Sequence, residues 1–208
     1  MLEKKVVSEN IIAHDIPFDE WMEKYAEAHT EWVEGVVLQL SPITRAHDLT
    51  DGFFYLLLRT FLKRTGLGII LRAPFVMKLS PVSPGREPDL QIVLNERKDI
   101  IRETMVNGAA DIVIEIVSRE SQQRDLVEKY EEYEAGGVKE YWLINPLRKQ
   151  SDFYVLGEDG LYKRIELQSG FFRSTVLSNF SLDTALLWDE DFLQDDDRIR
   201  SLVDSMLK

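Results

Sequence analysis

The segment Ile112-Val113-Ile114-Glu115-Ile116-Val117 is apolar at every position but one, so a strand formed here must be covered on both faces. That requirement sets it at the centre of a sheet packed by helices and argues against an all-β barrel. The exception is Glu115. An ionised carboxylate in such a strand costs several kcal/mol unless it is paired or coordinated. Two readings stay open on this strand alone: a buried ion pair with an arginine or lysine, or a group that holds a ligand.

The flanking sequence supplies the elements such a sheet needs. Residues 18–29 have a helical pattern opened by Asp19 and Glu20, with Trp21, Met22 and Tyr25 as its apolar stripe. Trp32 to Leu40 reads as strand, with Glu34-Gly35 turning a short hairpin. From Ala46 to Arg64, Leu49, Phe53, Leu56, Leu57 and Phe61 recur at helical spacing, and Gly66 and Gly68 end the helix. Gly68 to Leu79 reads as one strand marked by Pro74, and Asp89 to Leu94 as another. Ser118 opens a helical stretch to about Ala135, stopped by Gly136-Gly137, and Val138 to Ile144 is strand again. Ser151 to Leu156 and Tyr162 to Leu167 flank Gly157-Glu158-Asp159-Gly160 as a hairpin; Phe171 to Phe180 is strand-like, and a short helix closes the chain. The expected fold is α/β, a mixed sheet flanked by helices with an additional C-terminal β-hairpin.

Composition narrows the chemistry. At 208 residues the chain suits one domain with a full core, and the absence of cysteine excludes disulfides, thiolate metal sites and a Cys nucleophile. No Gly-x-Ser-x-Gly elbow and no Gly-rich phosphate loop is present. The N-terminus lacks the apolar core of a signal peptide and no apolar run reaches the roughly 20 residues of a membrane span, so a cytoplasmic protein without membrane contact is expected. The net charge of −12 argues against tight nonspecific DNA binding but suits a site that concentrates cations. Asp189-Glu190-Asp191 and Asp195-Asp196-Asp197 read as a solvated acidic end.

Asp89 follows Pro88 at the entry to its strand, a common place for a turn aspartate. If the Asp89 and Glu115 strands pair, the two carboxylates meet on one face and make, with water and a backbone carbonyl, a Mg²⁺ or Mn²⁺ site. Lys129 flanks the stripe of Leu126, Tyr130 and Tyr133 on the following helix; alone it reads as an i,i+4 partner of Asp125.

Taken in order, the run Arg86-Glu87-Pro88-Asp89-Leu90, then Ile114-Glu115-Ile116-Val117-Ser118, Arg124-Asp125-Leu126 with Lys129 and Tyr133, and Gly137-Val138-Lys139-Glu140-Tyr141-Trp142-Leu143-Ile144-Asn145-Pro146 resembles the Uma2 family of restriction-endonuclease-like proteins, also called DUF820. Upstream, Glu31-Trp32-Val33-Glu34-Gly35, Ser41-Pro42 and His47 fit the same pattern. The resemblance implies a PD-(D/E)XK nuclease fold over residues 18–185, after an N-terminal extension (1–17) and before an acidic C-terminal helix or tail (186–208). It implies metal-dependent hydrolysis of DNA phosphodiesters, with Asp89, Glu115 and the carbonyl of Ile116 on Mg²⁺ or Mn²⁺. Val117 stands where the motif lysine is expected, so the resemblance assigns that role to Lys129 and an acidic role across the site to Glu34. His47 matches a recurrent histidine, and Tyr133 is expected to pack or to orient Lys129 rather than react. A homodimer, with the aromatic C-terminal strands as interface, suits a duplex-cutting enzyme. A non-catalytic interaction protein on the same scaffold is the alternative.

Overall fold

A computed structural model describes residues 10–28, 30–39, 42–80, 83–118 and 127–208. In chain order its elements are β1 (Ile11–Ala13), α1 (Phe18–Lys24), β2 (Thr30–Val33), β3 (Val36–Gln39), α2 (Arg45–Thr65), β4 (Gly68–Arg72), β5 (Val76–Lys78), β6 (Gly85–Arg86), β7 (Leu90–Leu94), β8 (Met105–Asn107) and β9 (Ile112–Ile116). The second half adds α3 (Lys129–Gly136), β10 (Glu140–Asn145), β11 (Gln150–Leu156), β12 (Tyr162–Arg164), β13 (Phe171–Arg173), β14 (Ser181–Asp183), α4 (Glu190–Leu193) and α5 (Asp196–Met206).

The strand with the buried acid, β9, is central. The sheet that contains it runs β12-β11-β10-β9-β7-β4, with β9 parallel to β10 and antiparallel to β7. Its alternate side chains enter two different cores. Ile112, Ile114 and Ile116 join the apolar face of α2, while Val113 and Val117 join Tyr133, Tyr141 and Tyr162 on the other side. A strand apolar on both faces is therefore used as one, in a mixed α/β layer structure.

Helix α2 forms because its ends are satisfied and one face is continuously apolar. The Thr44 side chain accepts from the His47 amide at 3.2 Å, and Gly66 closes the helix in the left-handed conformation at φ 67°. Phe53, Phe54, Leu57, Leu58 and Phe61 are fully buried, each contributing about 1.5–3 kcal/mol of transfer free energy. The fit beyond the helix is close: a side chain at Gly68 would meet the Val93 carbonyl at 2.6 Å, which only glycine avoids.

A second sheet, β1-β3-β2-β6-β5-β8, carries the N-terminal hairpin. The stretch expected as one strand from Gly68 to Leu79 is two. Strand β4 pairs with β7 in the first sheet and β5 with β6 and β8 in the second. The chain changes sheets around Pro74, which has no amide to continue a ladder.

In the aromatic C-terminal segment Phe172 stacks on Phe153 with centroids 3.8 Å apart and Phe180 packs on Trp142 at 5.5 Å, while Phe171 is exposed. The first residue of each acidic triplet caps a helix while the triplets stay largely exposed. Asp189 accepts from the amides of Asp191 and Phe192, and Asp195 from that of Arg198. Among the described residues no helix is long and apolar enough to cross a membrane.

Candidate active site

The register Leu90–Ile114, Gln91–Val113, Ile92–Ile112 between β7 and β9 continues by one step to set Asp89 opposite Glu115. Residues directly opposite in an antiparallel pair stand about 4.5–5.5 Å apart at Cβ. Asp89 is fixed at this strand end by two contacts. Its Oδ2 accepts from the Ile116 amide at 2.6 Å, and its Oδ1 lies 3.1 Å from His47 Nε2. It keeps 21% of its side chain exposed, the open edge of an otherwise closed cluster. Burial disfavours the charged imidazole of His47, but the Asp89 hydrogen bond and charge, with Asp51 and Glu115 behind, outweigh it and raise the histidine above its usual range.

Glu115 is held from α3. The Tyr133 hydroxyl donates to Oε1 at 2.7 Å, and the Lys129 ammonium lies 3.0 Å from the same oxygen. Burial first, then the neighbouring Glu115 charge, holds the Tyr133 phenol well above its ordinary range, so it stays a donor. Lys129, Glu132 and Tyr133 are spaced i, i+3, i+4 and so share the inward face of the helix. Lys129 thus reaches the sheet from a helix, two strand positions being unnecessary once α3 is fixed. Asp125, its local ion-pair candidate, lies outside the described residues, as does the helical stretch expected over 119–126.

The upstream acid expected from the sequence, Glu34, does not lie among the buried groups around Glu115. Glu34 and Gly35 form the β2–β3 turn with φ of 50° and 88°, and Glu34 is exposed. Glu31, three residues earlier on β2, is buried instead, with Oε1 3.2 Å from Lys129 and Oε2 accepting from Arg86 Nη1 at 3.0 Å. Starting the strand at Trp32 hid it; the turn signal, counted back through a full strand, points to Glu31.

Arg86 was likewise missed. Its Nε and Nη2 donate to the two oxygens of Glu132 at 2.8 and 2.9 Å, and Glu128 lies 3.8 Å away. Burial opposes its charge, but Glu31 and Glu132 more than compensate and raise its pKa. Glu87 is buried beside this network; burial first, and the charge of Glu31 second, push its carboxyl up to about 8 against the pull of Lys129.

The Uma2 family, described as "putative restriction endonuclease", matches residues 17–185. The chain belongs to the Uma2 family. A crystal structure of a putative nuclease belonging to DUF820 from Anabaena variabilis ATCC 29413 is similar, with TM-score 0.69 over 84% of this chain and 97% of that one. At 17% identity it shows the shared fold, a restriction-endonuclease-like sheet flanked by helices. No curated protein matches the chain.

The candidate donors of this Uma2 chain are all oxygens or imidazole, which suits Mg²⁺ or Mn²⁺ rather than a soft metal. Both carboxyl oxygens of Glu87 are buried without a hydrogen-bond partner, and the facing pair Asp89–Glu115 adds two more carboxylates. Among the described residues no three His, Asp or Glu side chains already stand together at metal-binding spacing. Mg²⁺ commonly takes only one or two carboxylates and keeps several waters, so the residues fit such an ion.

Proposed function

We propose that this Uma2 chain is a divalent-metal-dependent DNA endonuclease. The observation that carries the reading is Asp89 set opposite Glu115 across two adjacent strands, with the Lys129 ammonium 3.0 Å from Glu115. Asp89, Glu115 and the Ile116 carbonyl would hold Mg²⁺ or Mn²⁺. When bound, such an ion supplies a Lewis acid for a phosphate oxygen and lowers the pKa of an attacking water.

The chain's own groups do the rest. The Ile116 amide and His47 hold Asp89 from both oxygens, so its orientation is set before substrate arrives. Tyr133 fixes Glu115 in the same way. Lys129, shared between Glu31 and Glu115, keeps a positive charge where negative charge develops on the phosphate and can orient the water. This is the role the motif gives to the residue now replaced by Val117. DNA is the substrate class, Mg²⁺ or Mn²⁺ the cofactor, and a homodimer would bring two such sites to the two strands of a duplex.

The test is cleavage of supercoiled, linear and single-stranded DNA with Mg²⁺ or Mn²⁺, comparing the wild type with Asp89→Asn, Glu115→Gln and Lys129→Met. Each variant is expected to lose about 10²-fold or more in rate, since each removes a group acting on the reacting phosphate. Cleavage that continues undiminished in Asp89→Asn and Glu115→Gln would assign the activity elsewhere. A chain that neither binds Mn²⁺ nor cuts would favour the interaction-protein alternative.

A further inference from the structure

A row of side chains leads away from the Asp89 end of the site along one face of α2. His47 touches Asp89 Oδ1, and Asp51, one turn on, accepts from Arg72 Nη2. A further turn on, the Tyr55 ring meets two guanidiniums, with Arg72 Cζ 5.0 Å and Arg59 Cζ 5.6 Å from its centroid. His47, Asp51, Tyr55 and Arg59 stand at i, i+4, i+8 and i+12, so the helix itself lines them up. Arg72 comes from outside the helix. It ends β4 opposite Leu90 of β7, and the Ala73 amide donates to the Asp89 carbonyl at 3.1 Å. The arginine is thereby tied to the same strand end as the candidate site.

These two arginines are exposed and differ from the paired cations elsewhere on the surface. Among the described residues Arg59 meets no carboxylate; it lies over the Tyr55 ring and donates to its hydroxyl at 3.3 Å. Arg72 gives one N–H to Asp51, a carboxylate almost closed to solvent, but a guanidinium has five to give. Two like charges brought to one ring repel each other, so the arrangement gains from an anion laid over them. A planar fork with free N–H groups matches a phosphate, and the ring holds each fork in orientation.

Gly52 is an independent sign of the same guest. It sits inside α2, where glycine weakens a helix, and a side chain there would meet nothing within 4 Å. Packing within the protein therefore gives no reason for it. Tyr55 and Arg59 follow it at i+3 and i+7, so it lies on their exposed face. The missing side chain lets an outside backbone come close to the helix at this point.

We propose that the α2 face bearing Gly52, Tyr55 and Arg59, together with Arg72, is the track for a DNA strand on one side of the scissile phosphate, with a phosphate on each guanidinium. The inference rests on the endonuclease reading above and names where its substrate lies. Along the helix axis His47 and Arg59 are about 18 Å apart, or about five phosphates of one strand at roughly 3.4 Å each. Arg72, partway along that span, takes a phosphate nearer the site. Two such contacts set the register and direction of the strand; they are too few to supply most of its attraction.

The test is the affinity of the full chain for a short labelled duplex in Ca²⁺, read by fluorescence anisotropy, beside cleavage in Mg²⁺ or Mn²⁺. Arg59→Gln and Arg72→Gln are each expected to weaken binding about threefold or more near 0.1 M salt, whatever the DNA sequence, and to lower the salt slope by about one. Gly52→Gln, which the open space admits, should weaken binding similarly while melting no lower than wild type. Lys163→Gln is the control, since β12 lies at the opposite edge of the sheet from β4, and it should bind as wild type does. If wild type binds and cuts DNA while Arg59→Gln and Arg72→Gln bind as Lys163→Gln does, the track is wrong and the endonuclease reading stands. Unchanged affinity in Gly52→Gln sinks the track equally. If wild type binds through these arginines but cuts nothing, the surface stands and the endonuclease reading fails. If wild type binds no DNA, both fall together.

Discussion

Arg86 is 1% exposed and is gripped by Glu31 from β2 and Glu132 from α3, so its removal takes a buried positive charge from two carboxylates at once. Breaking one side of a buried ion pair typically costs about 3–5 kcal/mol, because the remaining charge stays desolvated. Arg86→Met, which keeps the volume, is expected to lower the unfolding free energy by that much, read as a lower urea midpoint at unchanged slope. Adding Glu132→Gln should return about 1–3 kcal/mol of the loss as coupling. An additive double mutant would mean that the pair stabilises nothing. Titration of neighbouring groups gives a second prediction. Glu87, raised from 4.5 to about 8, contributes stability that is whole below its unfolded value and lost as pH climbs toward 8. His47, also raised, adds a loss as pH passes above its ordinary 6.5. Asp111 is lowered, despite burial, by bonds from Lys139, the Leu94 amide and Arg97, so its contribution disappears in acid instead. Metal-free protein should therefore melt lower near pH 9 than near pH 6, and Glu87→Gln should flatten most of that alkaline slope. Equal slopes in the two proteins would place the alkaline loss on other groups.

At the scale of elements, the C-terminal helices belong to the core they cover. Ile199 and Val203 of α5 are buried against the α2 side, and Asp195 caps the helix by accepting from the Arg198 amide at 3.0 Å. Asp195→Ala should cost about 1 kcal/mol and Ile199→Ala about 2–5 kcal/mol, read as shifts in the unfolding midpoint. If both were silent, α5 would be an appendage. The outcome also shows how far the sequence can be read. Glu115 stood out locally, as an acid in an apolar strand, whereas Asp89 and Lys129 read alone as a turn aspartate and an i,i+4 ion-pair partner, and only the family resemblance joined them to it. Glu31 and Arg86 were not legible, because each looks like an ordinary surface residue until β2 pairs with β6 through Trp32 and Gly85. Glu140 is a similar case. It reads as a solvated residue before Tyr141, yet it accepts from Trp142 Nε1, Ser174 Oγ and the amides of Thr175 and Val176, tying β10 to the loop before β14. The Ser174, Thr175 and Val176 partners lie more than thirty residues away in sequence, beyond any local periodicity. The acidic triplets, read as solvent-facing, are largely exposed, and the capping by Asp189 and Asp195 went unread because a capping aspartate differs from a solvated one only in where its helix starts.

For the whole molecule, the charge of −12 sets the terms on which DNA can approach. A duplex carries one phosphate charge per about 1.7 Å of its axis, and most proteins meet it with a basic face whose counterion release drives binding. This chain has little of that to offer, since many of its exposed cations are already paired with acids: Arg45 with Glu190, Arg64 with Asp204, Arg164 with Asp152, Arg200 with Asp196. On the proposed endonuclease reading, attraction would come from cations gathered at the carboxylate cluster itself. The consequence is measurable without any cleavage. With Ca²⁺, a hard ion that takes oxygen ligands in flexible geometry, wild type should bind a short duplex at least about tenfold more tightly than in a chelator. In Asp89→Asn the two conditions should give the same weak affinity. The dependence of affinity on monovalent salt should also be shallow, with a slope corresponding to few phosphates rather than the roughly ten of a strongly basic DNA-binding protein. Tight, steeply salt-dependent binding in the chelator would reveal a basic surface that the paired cations conceal, and DNA recognition would then be independent of the metal.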